Sequence, residues 1–195
     1  MKLSDLAMVK TGLVLTRKQA TKQECFVAEY KQLNLKAINE KGYIDMSLLD
    51  TFYANERLKA EYITQPKDII VRLTAPYTAI LIDEKTRGLV ISSHFIVVRV
   101  LGESILPEYL YWLLNTEELK SEIIQNMSST TIGAVKPSLY SEIKIDMISI
   151  ENQKTIAELN MITKKELRIL EELTANKELY YKELIKKIQK EMREK

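Results

Sequence analysis

The residues best suited to chemistry in this 195-residue chain are few and dispersed. Asp68, in Pro66-Lys67-Asp68, precedes Asp83-Glu84-Lys85 by fifteen positions. An acid followed by acid-x-lysine can hold Mg²⁺ and activate water, so a Mg-dependent nuclease is one reading of this pair. The triplet is common in a chain with this charge content, and 83–85 reads as a turn rather than a strand presenting carboxylates. His94 is the only histidine and falls inside a predicted strand, which leaves a histidine-based triad or zinc site little to draw on. Cys25, the only cysteine, has no histidine near it in sequence and reads as a buried thiol. No Gly-rich phosphate loop occurs.

A different chemistry suits other positions. Arg72 is the one charge in the run Ile69-Ile70-Val71-Arg72-Leu73 and leads into Thr74-Ala75-Pro76-Tyr77. A guanidinium there suits a bidentate guanine contact, or an ion pair at a sheet edge. Thr74 and Tyr77 share that loop. The stretch 128–136 combines hydroxyls (Ser129 and Thr130 among them), a glycine and Lys136, groups that suit phosphate contacts or a plain connection. Lys85 and Arg87 on a hairpin tip, with Lys18 and Lys22, read as solvated charges.

The predicted elements place these residues. Leu3-Ser4-Asp5-Leu6 opens a short capped segment through Val9, with Ser4 or Asp5 as N-cap, ended by Gly12. Residues 13–23 read as loop. Strands are expected at 26–28 and 30–38, with a turn at 39–42, and 48–60 suits a short helix. The stretches 69–73, 78–82 and 89–100 read as three strands of an antiparallel meander. One helix is expected over 107–127, with proline in its first turn. The apolar alternation at 143–150 predicts a last strand.

From 151 to 195 there is no Gly and no Pro, and the composition predicts one unbroken helix of roughly 60–65 Å. Ile156, Leu159, Ile162, Ile169, Leu173, Tyr180, Leu184 and Ile188 form an apolar stripe at helical spacing. Asn176 and Glu166 interrupt it, and a buried Asn176 would fix register. So long a stripe calls for a partner helix.

Composition bounds the whole. With 46% hydrophobic residues the chain is globular, and a domain over 1–150 is large enough to bury a core. Nothing resembles a membrane span or a signal peptide, and one cysteine fits a reducing compartment, so a cytoplasmic location is expected. Net charge is +2. Residues 1–150 carry 18 Lys and Arg against 18 Asp and Glu, and residues 151–195 carry 11 against 9. A nucleic-acid binder built this way must gather its cations on one face or borrow phosphate grip from a partner. The expected class is α+β: a mostly antiparallel β domain with a packed helix, then a long C-terminal coiled-coil helix.

In this order the pieces resemble the specificity (S) subunit of type I restriction–modification systems, or one half of it. Leu3-Ser4-Asp5-Leu6 with Gly12 resembles the family's opening segment. Lys67-Asp68-Ile69-Ile70-Val71 is similar to its Gly-Asp-Ile-Leu strand, with Lys67 in place of glycine. Val90-Ile91-Ser92-Ser93, Leu106-Pro107-Glu108-Tyr109-Leu110 and Asn152-Gln153-Lys154-Thr155-Ile156 resemble its "ISS"-like strand, Pro-x-Tyr-Leu helix start and Glu-Gln-x-x-Ile helix entrance.

The resemblance implies a DNA target recognition domain over 1–150 and, over 151–195, a helix for dimerisation and methyltransferase-subunit docking. It implies no catalysis in this chain. Double-stranded DNA would be read by Arg72, Thr74, Tyr77, Ser129, Thr130 and Lys136. Two copies would associate as a homodimer through the long helix and direct methyltransferase (M) and restriction (R) subunits. S-adenosylmethionine, ATP and Mg belong to those partners. The competing class is a coiled-coil adaptor without DNA binding.

Overall fold

The computed structural model describes residues 1–20, 26–39, 41–127 and 133–193. The chain divides into two compact units, Met1–Lys154 and Thr155–Lys195.

Two sheets and a set of short helices build the first unit. After α1 (Leu3–Leu6), the strands are β1 (Ala7–Thr11), β2 (Ala28–Leu33), β3 (Asp50–Ala54), β4 (Ile69–Arg72), β5 (Ala79–Leu81), β6 (Val90–Ile91) and β7 (Phe95–Val100). One sheet has four antiparallel strands in the order β1-β7-β4-β5. The other has the order β3-β2-β6, with β2 antiparallel to β3 and parallel to β6. The helices that follow are α2 (Pro107–Leu113), α3 (Glu117–Gln125) and α4 (Pro137–Glu142), and then α5 (Ile150–Arg193). The fold class is α+β, as expected.

Strand alternation explains the layers. Successive side chains of a strand leave opposite faces, so a central strand covered on both faces must be apolar throughout. Ile69, Ile70 and Val71 of β4 meet that demand and are fully buried. Ile70, Ile80, Phe95 and Val97 pack with Leu33, Ile38, Leu89 and Ile91 in one core cluster. Elsewhere α2 packs against β5 and α4 against β1, burying Tyr109, Leu110 and Tyr140.

Several expected elements differ. The stretch 48–60 holds strand β3, because Phe52 and Ala54 alternate with exposed Tyr53 and pair with β2. The strand expected over 30–38 ends at Leu33, after which Asn34 caps a short helical turn by accepting from Ala37 N at 2.9 Å. Residues 89–100 split at Ser92–His94 into β6 and β7, which belong to different sheets. The three-strand meander is therefore absent, and β4 lies between β5 and β7. The helix expected over 107–127 breaks at Leu114-Asn115-Thr116, where the Thr116 side chain caps α3. Residues 143–149 form no strand beyond a bridge between Lys144 and Lys2, although Ile143 and Ile145 are buried. Asp5 lies inside α1 and accepts from Lys2 N at 2.9 Å, so the helix is entered from Lys2.

Gly12 shows why the first strand must end in glycine. A Cβ there would meet the Ile91 carbonyl oxygen at 2.6 Å and that of Ser92 closer still. The backbone is locked in place because Gly12 N donates to Phe95 O and Leu13 N to Ile91 O.

The Asn152-Gln153 motif is structural. Gln153 is fully buried and belongs to the first unit. Its Oε1 accepts from Leu106 N at 2.9 Å, and its Nε2 donates to the carbonyls of Ser104 and Ile148. Both amide N–H groups and the amide oxygen are engaged, so the first turn of α5 is fastened into the globular unit. In the second unit α5 runs unbroken, as the composition requires. The side chains of Leu159, Ile162, Ile169, Leu173, Tyr180, Leu184 and Ile188 are all exposed.

Candidate nucleic-acid interface

Four segments close one end of the four-stranded sheet. The registers Thr11 to Ile96, Arg72 to Phe95 and Val71 to Ala79 put the end of β1, the start of β7, the end of β4 and the start of β5 together. Residues 12–14, 73–78 and 92–94 are thus neighbouring loops. Residues 133–136 join them, since Thr74 bridges Ala134 and Val135 N donates to Leu73 O at 2.7 Å.

The loop after β4 holds three of the expected residues in a defined shape. Arg72 N donates to Thr78 O at 3.0 Å, and Tyr77 N donates to Thr74 O at 2.9 Å. The Ala75–Pro76 peptide is cis, and Tyr77 has φ 56°. Arg72 Nε donates to Thr74 Oγ1 at 2.9 Å, so the hydroxyl orients a half-buried guanidinium. One of the sequence's alternatives for Arg72, an edge ion pair, gives way to this hydroxyl contact. Tyr77 Oη contacts Met127 Sδ at 3.8 Å. Burial, with Tyr77 beside it, pushes the Tyr140 phenol above its ordinary range.

Lys136 is exposed at the start of α4. The structure therefore brings Arg72, Thr74, Tyr77 and Lys136 to one end of one sheet. Ser129 and Thr130 lie outside the described residues, as do Lys22 and Cys25.

Charge separates this end from the opposite one. The segments 12–14, 72–78, 92–94 and 133–136 contain Arg72, His94 and Lys136 and no carboxylate. The opposite end is closed by 3–6, 65–68, 82–88 and 101–106, which contain Asp5, Asp68, Asp83, Glu84 and Glu103 beside Lys67, Lys85 and Arg87, with Arg99 of β7 bound to Asp68. The opposite end thus mixes acids with cations, whereas the segments named at the Arg72–Lys136 end hold no acid. Spacing in sequence could not reveal this, because the four segments meet only through strand register.

The acids of the nuclease reading have other tasks. Asp68 is buried and binds Arg99 through two contacts, Nε to Oδ1 at 2.6 Å and a terminal nitrogen to Oδ2 at 2.7 Å. Its Oδ2 also accepts from Gln65 N. Hydrogen bonding to Asp68 holds the Arg99 guanidinium above its ordinary range. Asp83 Oδ1 accepts from Lys85 N, Thr86 N and Thr86 Oγ1, shaping its own turn. Lys18 pairs with Glu56, and Arg87 with Glu84. Among the described residues no group of three or more His, Cys, Asp or Glu is placed to hold a metal ion, and no helix is long and apolar enough to cross a membrane.

Residues 1–190 match the family model described as type I restriction modification DNA specificity domain. The chain belongs to this family. The specificity domain's fold is also that of three solved structures. The HsdS subunit from Thermoanaerobacter tengcongensis is 19% identical with a TM-score of 0.64, and the match covers 87% of this chain and 43% of that one. A chain from the structure presented as "Structural basis underlying complex assembly and conformational transition of the type I R-M system" is 17% identical with a TM-score of 0.66, over 87% and 43%. The type I restriction–modification S subunit from M. genitalium is 15% identical with a TM-score of 0.54, over 87% and 40%. This specificity domain thus spans less than half the length of each. No curated protein matches the sequence.

Proposed function

We propose that this chain supplies DNA sequence specificity to a type I restriction–modification complex. It reads a half-site with the edge formed by Arg72, Thr74, Tyr77 and Lys136, and it pairs through α5 with a second copy or another specificity chain. The carboxylate-free edge is the observation that carries this reading. A surface without acids opposes no charge to phosphate, and Arg and Lys on it suit base and backbone contacts. Methylation and cleavage belong to partner subunits, which bring S-adenosylmethionine, ATP and Mg. The exposed apolar stripe of α5 supports a helical partner.

The test is binding of the full chain to a pool of duplexes with randomised centres at low and moderate salt. Arg72→Ala and Lys136→Ala should each weaken binding, and losing a phosphate contact should lower the salt slope by about 1. Lys85→Ala, at the opposite end, should leave binding unchanged. If Lys85→Ala weakens binding as much as Lys136→Ala, the assignment of the edge is wrong. If no DNA is bound, alone or with methyltransferase subunits added, the coiled-coil adaptor takes its place.

A further inference from the structure

One exposed polar side chain of the edge has no assigned task, and it is the only histidine of the chain. Inside a continuous strand, His94 would occupy an ordinary ladder position. The backbone instead turns there: Phe95 N donates to Ser92 O at 3.1 Å, which leaves Ser93 and His94 at the tip with the His94 side chain exposed. The turn is bonded to the Arg72 loop, since Leu73 N donates to His94 O at 3.0 Å. Leu73 O in turn accepts from Val135 N, the residue before Lys136. Each such bond sets neighbouring segments about 4.8 Å apart. His94 and the segment ending in Lys136 therefore lie within roughly two strand spacings, a span that a major groove about 12 Å wide admits. The edge segments hold no carboxylate to claim the imidazole, and their other charges are Arg72 and Lys136.

We infer that His94 is a DNA contact of this edge, donating an imidazole N–H to an acceptor on the duplex, either a phosphate oxygen or a purine ring nitrogen. The inference rests on the proposed reading and adds a contact from the turn that joins the two sheets. A neutral imidazole donates one hydrogen bond and an imidazolium two, and both acceptors lie within its chemistry. Gly12 packs against the carbonyl oxygens of Ile91 and Ser92, so the turn is braced and the imidazole is presented from a fixed base.

Because the histidine is unique, its imidazole C–H resonances can be followed in the unaltered full-length protein. They should shift as duplexes with randomised centres are added, while anisotropy on the same samples reports binding. His94→Ala should weaken binding about three- to tenfold, the range expected for one hydrogen bond. Selection from the pool separates the two acceptors. Lost preference at one base position marks a base edge, and uniform weakening marks phosphate. His94→Gln, which keeps a polar side chain on the exposed turn, serves if the alanine variant does not fold. If DNA binds while the imidazole resonances stay fixed, or if both variants retain affinity and preference, the inference is wrong and the reading of the edge stands. If the wild-type chain binds no DNA, the reading falls and takes this inference with it.

Discussion

The side-chain amide of Asn115 pairs with both backbone groups of Ala79: Ala79 N donates to Oδ1, and Nδ2 donates to Ala79 O, each at 3.1 Å. The amide acts as a one-residue strand beside β5, one of the two outer strands of the four-stranded sheet. Nδ2 also donates to Tyr111 O at 2.9 Å, tying the end of α2 to the same point. Asn115→Ala would leave buried Ala79 groups without partners, at a cost of about 1–3 kcal/mol for each unsatisfied group. Urea unfolding should show a lower midpoint at an unchanged slope. A midpoint equal to wild type would mean that water or a neighbour replaces the amide.

Lys67 has φ 71°, a conformation that suits glycine and strains a residue with a Cβ. Its amide donates to Ile82 O at 2.8 Å, which holds the backbone there. Lys67→Gly should raise stability by about 0.5–1 kcal/mol, the relief of strain exceeding the flexibility added to the unfolded chain. Thermal melts read this directly, and a lower melting temperature would refute it.

Burial pushes the Tyr111 phenol from 10.0 up to about 12, and drives that of Tyr140 higher still. Folded-state values raised above the unfolded one give a contribution that is complete below pH 10 and is lost as pH rises toward the folded value. Between pH 10 and about 12, stability should fall by about 1.4 kcal/mol per pH unit for each such tyrosine. Tyrosinate absorbance during an alkaline titration should show a late fraction that ionises together with unfolding. Ionisation of all ten tyrosines in a single early step would contradict it.

On an ideal helix the stripe residues from Leu159 on (Leu159, Ile162, Ile169, Leu173, Tyr180, Leu184 and Ile188), with Leu170 beside them, fall within an arc of roughly 100°. Leu170→Glu with Leu173→Glu puts two charges mid-stripe, at side chains that are about half exposed, 49% and 48%. Light scattering should give a dimer for the wild-type chain and a monomer for the double variant, with little change in the melting of the globular unit. A wild-type monomer would leave the stripe to a different protein. Removing the helix for such an experiment should preserve Gln153, whose amide closes the 104–106 loop.

What the sequence made legible followed from local composition. Helix α5 is readable from the absence of Gly and Pro, and β4 from Ile69-Ile70-Val71. The errors arose where one pattern ran through a real boundary. Apolar residues continue across Asn115-Thr116, yet Thr116 followed by Glu117 and Glu118 is a helix-start signal. Ser92-Ser93-His94 likewise puts three polar residues in an apolar run, a turn signal masked by the β character that resumes at Phe95. The run at 143–150 looks like a strand because Ile143 and Ile145 are buried, but no neighbour offers a ladder. At the candidate site, Arg72, Thr74 and Tyr77 were visible as one loop. Their proximity to Lys136 was not, since it depends on the pairing of Thr74 with Ala134 across sixty positions.

The segments that close the Arg72–Lys136 end hold cations without acids, whereas at the other end Arg99 holds Asp68 and Glu84 pairs with Arg87. Under the proposed reading, a polyanion would meet one end with nothing to repel it and, at the other, charges that already answer one another. The preference would fade with added salt, since the screening length is about 8 Å at physiological ionic strength. With equal numbers of cations and anions over 1–150, the unit would approach DNA by one end instead of adhering over its whole surface.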